Sequence, residues 1–355
     1  MKKNIMEGFI LCLCLLMLAG CQKETAQNTD IQTTEDLQQV ASQDIFAMDT
    51  YMTVTAYGEG ASGAVSDAVA EIERLDALLS TGDENSEIYQ INQNGGGSIS
   101  EDTSYLLERA LEIWKSTDGC FEIGIYPLMQ AWGFTDGNYK VPDETTLKKL
   151  LPLADSSKIT FDEKDRTVTF VQEGMEIDFG GIAKGYTSGR IMDIFREHGI
   201  SSAMVSLGGN VQVLGTKTDG TKWRVAVQNP NDTESYLGVL ETQDRAVITS
   251  GGYERYFEQD GKTYQHILDP KTGYPAESGL TSVTIVSADG TLADGLSTSL
   301  FVMGKEKAIA YWRAHKEEFD AILVEEDGTV SVTENIADSF TPDETVKKLD
   351  VISEM

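Results

Sequence analysis

The chain predicts an α+β domain, because stretches of helical periodicity interrupt clusters of strands instead of alternating with them one for one. Two patterns carry that expectation. Met52-Thr53-Val54-Thr55-Ala56-Tyr57 alternates with the period of two that a half-buried strand requires. Ala64 to Leu79 then places apolar residues three and four apart, on one helical face. The same two periods predict helices over Ser104 to Ser116, Ala183 to Glu197 and Ala293 to Met303. They predict strands over Thr167 to Val171, Ala203 to Leu207, Trp223 to Val227, Val239 to Leu240, Ala246 to Ile248 and Leu280 to Val286. No repeat of solenoid period is visible, and the polar tail after Ile336 is expected to add little to the core.

The start of the chain reads as an address. Lys2 and Lys3 precede an apolar run from Phe9 to Leu18, which is too short to span a bilayer and has the length of a signal-peptide core. Leu18-Ala19-Gly20-Cys21 supplies the small residues that a lipoprotein signal peptidase needs. Residues 1–20 are therefore expected to be removed, and Cys21 to carry a lipid that holds the chain on the extracytoplasmic face of the cell membrane. Residues 21–44, rich in Gln, Thr, Asp and Glu, are expected to be a flexible tether, and residues 45–355 the working domain.

Cysteine usage agrees. Cys12 and Cys14 leave with the signal and Cys21 is lipidated, so Cys120 alone remains and no intramolecular disulfide can form. Stability must come from a packed core. The formal net charge of -30 argues against nucleic acid as a partner and against direct adhesion to anionic lipid. An anionic cofactor would need local help from a metal, a lysine or backbone N–H groups.

Five segments carry candidate chemistry. His266-Ile267-Leu268-Asp269-Pro270-Lys271-Thr272-Gly273-Tyr274-Pro275 puts an imidazole, one of three in the chain, and a carboxylate into a turn-rich loop after a strand. A turn in which Asp269 caps its own backbone explains the same letters. Asp178-Phe179-Gly180-Gly181-Ile182-Ala183-Lys184 reads as a glycine turn opening a helix, suited to an anion or equally to a tight connection with a solvated lysine. Leu207-Gly208-Gly209-Asn210 is a glycine pair after a strand and is compatible with a plain hairpin turn. Gly119-Cys120-Phe121-Glu122 with Trp132-Gly133-Phe134 sets aromatics beside glycines, either around a flat ring or as core. Asp294 and Thr298 stand four apart in a helical stretch, as part of an oxygen site for Mg²⁺ or as capping and solvated side chains.

Taken together and in this order, these segments with Thr249-Ser250-Gly251 resemble the FAD:protein FMN transferases, a family also known as thiamine biosynthesis lipoproteins. The resemblance runs from about Met48 to Leu300. It implies a two-lobed α+β fold with FAD between the lobes, and Mg²⁺-assisted transfer of FMN through a phosphoester to a Thr or Ser of an extracytoplasmic flavoprotein, with release of AMP. By position, Asp294 and Thr298 match the side-chain metal ligands, and Gly181 and Thr291 match backbone carbonyls that complete the shell. Met48, Gly119, Cys120, Phe121, Glu122, Asp178, Lys184, Ser250, Gly251, His266 and Ile267 match cofactor-binding positions. His266 with Asp269 is the candidate acid–base pair, and Lys184 the cation opposing phosphate charge. The chain departs from the family's habit at Asp49, Gly82, Cys120, Glu122 and Gly252. Two other readings remain open at this level: an FAD pyrophosphatase and a flavin-binding lipoprotein without turnover.

Overall fold

Period-two alternation becomes a nine-stranded sheet in the computed structural model, which describes residues 39–354. The expected signal segment, Cys21 and most of the expected tether lie outside the described residues. The strands are Val40–Ala47, Thr50–Tyr57, Ser202–Leu207, Asn210–Gly215, Ala246–Gly251, Leu280–Ser287, Phe319–Glu325, Val330–Thr333 and Leu349–Ile352, and each pairs with the next. Their order across the sheet is therefore their order along the chain. All neighbours are antiparallel except the last two, which are parallel.

The pleat sorts side chains onto two faces. Met52, Val54 and Ala56 point one way and pair with Leu207, Val205 and Ala203. Against them pack the helices Ala61–Leu79 and Ala183–Glu197, through Ala64, Ala68, Ile72, Ile191 and Phe195. The opposite face carries Val213, Val247, Val286 and Ile322 and is covered by a small sheet of Trp223–Asn229, Asp232–Thr242 and Phe340–Pro342. Between the second and third strands of the large sheet, the chain inserts a second lobe. It contains the helices Glu87–Asn94, Glu101–Ser116, Tyr126–Trp132 and Glu144–Leu150, with a three-stranded sheet of Gly96–Ser98, Thr167–Phe170 and Ile159–Asp162. The α+β expectation and its central helices and strands are met.

Several boundaries differ, and three of the differences matter most. The strand Val40–Ala47 starts inside residues 21–44, so ordered structure begins earlier than a polar tether implies, because Ala41, Ile45 and Ala47 on one face pack on the core. The helix expected from Ala293 begins at Gly290, where Asp289 caps it by accepting a hydrogen bond from the Leu292 N–H. The tail after Ile336 is not idle: Phe340 pairs with Leu240, and Leu349–Ile352 adds the ninth strand and buries Ile352.

Candidate active site

A cavity of about 1250 Å³ opens where one end of the large sheet meets the inserted lobe and the Trp223–Thr242 hairpin. Most of the candidate residues line it: Met48, Cys120, Phe121, Glu122, Asp178, Gly181, Lys184, Ser250, His266, Ile267, Asp294 and Thr298. Gly119, Gly251, Asp269 and Thr291 do not.

The floor is set by two helices that approach closely. A Cβ on Gly185 would fall 2.1 Å from the Gly290 carbonyl oxygen and 2.6 Å from Asp294 Cβ, so the crossing tolerates only glycine there. That contact lets the Gly185 N–H donate to Asp294 Oδ2 at 2.8 Å. Asn210, at the start of the strand after Gly208-Gly209, donates from Nδ2 to Asp294 Oδ1 at 3.1 Å. Asp294 is 4% exposed, and among the described residues no cation pairs with it. Beside it, Thr298 Oγ1 lies 3.2 Å from Ser250 Oγ, which also contacts Ser297 Oγ at 2.7 Å. Gly181 is adjacent, since a Cβ there would sit 3.8 Å from Thr298 Oγ1.

This oxygen-rich corner fits a hard divalent cation. A buried carboxylate held only by neutral donors is destabilised until a positive charge joins it. Carboxylate, hydroxyl and backbone oxygen are the donors Mg²⁺ prefers, and Mg²⁺ retains waters instead of demanding a full protein shell. No cluster of three His, Cys, Asp or Glu side chains exists among the described residues, which is compatible with that sparse ligation. Thr291 is the exception to the expected set. Expected to offer its backbone carbonyl, it lies buried in the first helical turn and is not among the residues lining the cavity.

Lys184 stands at the second position of the Ala183–Glu197 helix, and its side chain makes no ion pair or hydrogen bond with another described residue. It is a free cation facing the cavity, near a helix N-terminus that itself favours anions. Its charge opposes the acidic groups around it. Burial raises the Asp178 carboxyl above its ordinary value, against a hydrogen bond from the Gly180 N–H and the Lys184 charge. Burial pushes Glu254 up to about 7, with Lys184 opposing and Asp294 adding. Glu254 is open to the cleft yet walled by protein, and it shares this lining with Arg255.

His266 is recessed in the same wall. Burial depresses its imidazole to about 4, helped by the Arg255 and Lys184 charges and opposed by a bond to the Arg255 carbonyl. That carbonyl lies 3.1 Å from Nδ1 and can only accept, so Nδ1 carries the proton. Nε2 is left as the basic atom at neutral pH.

The acid–base pair read from the sequence is thereby corrected. Asp269 is spent on its own turn: Oδ1 accepts from the Lys271 N–H at 2.9 Å, and its carbonyl accepts from the Thr272 and Gly273 N–H groups. No contact joins it to His266. The turn is pinned by Trp132, whose Nε1 donates to the Gly273 carbonyl at 2.8 Å. Trp132 is thus core, whereas Phe134 reaches the cavity and meets His266 edge-on.

Two other expected contacts have structural explanations. The Glu122 carboxylate accepts from Gly124 N–H and Ser156 N–H and is occupied within the protein, so it braces the wall. Met48 and Asp49 form a two-residue turn with φ of 48° and 58°. Glycine is the easier residue at such a φ, and aspartate is among the few others that tolerate it.

Sequence reasoning missed Asn210 as a partner of Asp294, Glu254 and Arg255, and the rim from Thr233 to Tyr236. Asn210 lay inside the segment Leu207–Asn210 already singled out, and Glu254-Arg255 follow Ser250-Gly251 within four residues.

Comparison with known proteins gives the class first. Residues 48–323 match the model of the ApbE family, and the chain belongs to that family. Among its relatives, the FAD:protein FMN transferase of Klebsiella pneumoniae is 37% identical over 71% of this chain and 79% of its own length. That of Treponema pallidum is 33% identical over 81% and 85%. The fold superposes on the crystal structure of the ApbE protein of Thermotoga maritima with a TM-score of 0.80 and 32% identity, covering 85% of this chain and 99% of that one. It also superposes on the flavin transferase ApbE of Vibrio cholerae with a TM-score of 0.77 and 25% identity, over 85% and 99%.

Proposed function

We propose that the chain is an Mg²⁺-dependent FAD:protein FMN transferase, which moves FMN from FAD onto a Thr or Ser hydroxyl of an extracytoplasmic flavoprotein. The observation that carries this reading is the convergence of a neutral His266, an unpaired Lys184 and the Asp294–Thr298 oxygen corner in one cavity. Family membership supplies the substrate class. Asp294, Thr298 and the backbone at Gly181 are the residues that would hold Mg²⁺. The ion, when bound, neutralises pyrophosphate charge.

The acceptor oxygen forms a bond to the flavin-side phosphorus while the bond from that phosphorus to the bridging oxygen breaks, and AMP leaves with the bridging oxygen. His266 Nε2 takes the hydroxyl proton. Lys184 opposes the negative charge that builds on the transferring group, and the walls restrict water. Water in the acceptor's place yields FMN and AMP, so hydrolysis is the second activity of this same site. The Leu18-Ala19-Gly20-Cys21 sequence supports anchoring through Cys21 outside the cytoplasmic membrane, which is part of the proposal.

Incubation of the purified chain with FAD, Mg²⁺ and a membrane extract tests the reading. A second protein should acquire in-gel flavin fluorescence in step with AMP. AMP and free FMN without a labelled protein would establish the pyrophosphatase instead, and FAD binding without AMP would leave only a flavin-binding protein.

A further inference from the structure

Transfer to a protein demands that an acceptor backbone lie across the cavity mouth. Part of that mouth is the turn of the first hairpin, whose Met48, Asp49 and Thr50 line the cavity. In a hairpin closed by two residues the flanking pair, Ala47 and Thr50, exchanges both hydrogen bonds. The next pair, Phe46 and Tyr51, is then the non-bonded kind, whose side chains approach most closely. Their rings meet edge to face at 5.1 Å, on the solvent side of the sheet. Phe46 is 62% and Tyr51 79% exposed, the two most exposed aromatic side chains among the described residues. The covering sheet leaves both rings exposed, although its Trp223 meets Tyr57 on the same face of the strand.

The same alternation turns the backbone N–H and C=O of Ser42, Asp44 and Phe46 outward. Val40–Ala47 pairs with Thr50–Tyr57 alone, so this edge is open among the described strands. An open edge accepts an extended segment by strand addition, and an adjacent apolar pair selects its side chains.

Resting on the transferase reading, we propose that this face is the docking site of the acceptor protein. It receives an extended segment with an apolar side chain on Phe46 and Tyr51, and it delivers the neighbouring Thr or Ser past the Met48-Asp49 turn. Two other occupants fit less well. An anionic membrane would meet the exposed carboxylates of Asp44 and Asp49. Two aromatic rings fall far short of the about 800 Å² per partner that a stable dimer buries, while a transient substrate contact needs less.

The test compares the full chain with its Phe46→Ala/Tyr51→Ala variant, using solubilised membranes from cells lacking this chain as the acceptor source, with saturating FAD and Mg²⁺. At limiting extract the variant should label protein at least about tenfold more slowly, and converge on the wild-type rate as extract is concentrated. Its FAD affinity, read by flavin fluorescence, should stay within about twofold. Equal labelling at limiting extract would overturn the proposal, as would a deficit that persists at every concentration. Self-association or vesicle binding lost in the variant alone, with labelling intact, would assign the face to a second copy or to lipid. A wild-type chain that binds FAD and labels nothing would remove the transferase reading itself, and this inference with it.

Discussion

His266 and Asp269 were indistinguishable as letters in one loop, and the backbone separates them. Asp269 feeds its own turn, which asparagine reproduces, so Asp269→Asn should retain most activity. His266→Ala should lower FMN transfer by ~10²–10⁴-fold with FAD affinity largely kept. Measuring labelled acceptor and FAD affinity for both variants checks the assignment, and equal activity of the two would sink it. The depressed imidazole also has a sign. Base catalysis needs neutral His266, so the ligand-free site stays competent as pH falls past the ordinary histidine value and loses competence only near about 4. Arg255→Ala removes one of the charges that hold the value down. It should shift the acidic limb of kcat/KM to higher pH, and an unmoved limb would show that Arg255 does not act on this ring. Asp294→Ala should reduce AMP release by two to four orders of magnitude, on the order of 3–5 kcal/mol, and abolish its dependence on Mg²⁺ concentration. Full activity of that variant in EDTA would exclude the oxygen corner as the metal site.

At the scale of elements, the helix Ala183–Glu197 contains two glycines with opposite reasons to be there. Gly185 sits where a methyl group would strike the Gly290 carbonyl, whereas a Cβ on Gly189 meets nothing within 4 Å. Gly185→Ala should cost about 3 kcal/mol in denaturant unfolding and disturb Asp294 through its lost N–H partner. Gly189→Ala should instead stabilise by about 0.5–1 kcal/mol, because a helix interior favours alanine. A reversed order would contradict the packing described here. Both glycines were visible in the sequence, and their difference was not, since it depends on a helix more than a hundred residues away. The same limit explains the other misses. Helical and strand periods are local and were legible from Ala64–Leu79 to Leu280–Val286. The Asn210–Asp294 bond joins residues 84 apart, and no local pattern announces it. The strand Leu349–Ile352 exposes three of its four residues, so it shows none of the apolar alternation that marks a half-buried strand.

At the scale of the whole molecule, lipidation is a prediction about where the chain works. Mass spectrometry of the N-terminal peptide from native cells should find a lipidated Cys21 and no mature form retaining Met1. An unmodified Cys21 would remove the anchor from the proposal. The site itself was legible as separate segments, because each glycine turn or loop carries its chemistry locally. Its walls were not, since the rim from Thr233 to Tyr236 belongs to a hairpin with no unusual letters that becomes part of the cavity only through the way it covers the large sheet.

The large sheet follows chain order, yet 144 residues separate its second strand, ending at Tyr57, from its third, beginning at Ser202. During synthesis at about 5–20 residues per second, the first hairpin waits roughly 7–30 s for the neighbour that completes its hydrogen bonding. A two-stranded hairpin is at best marginally stable in water. Until then only the Ala61–Leu79 helix, which follows it directly, is on hand to cover it, and the sheet closes only after the entire inserted lobe has been made.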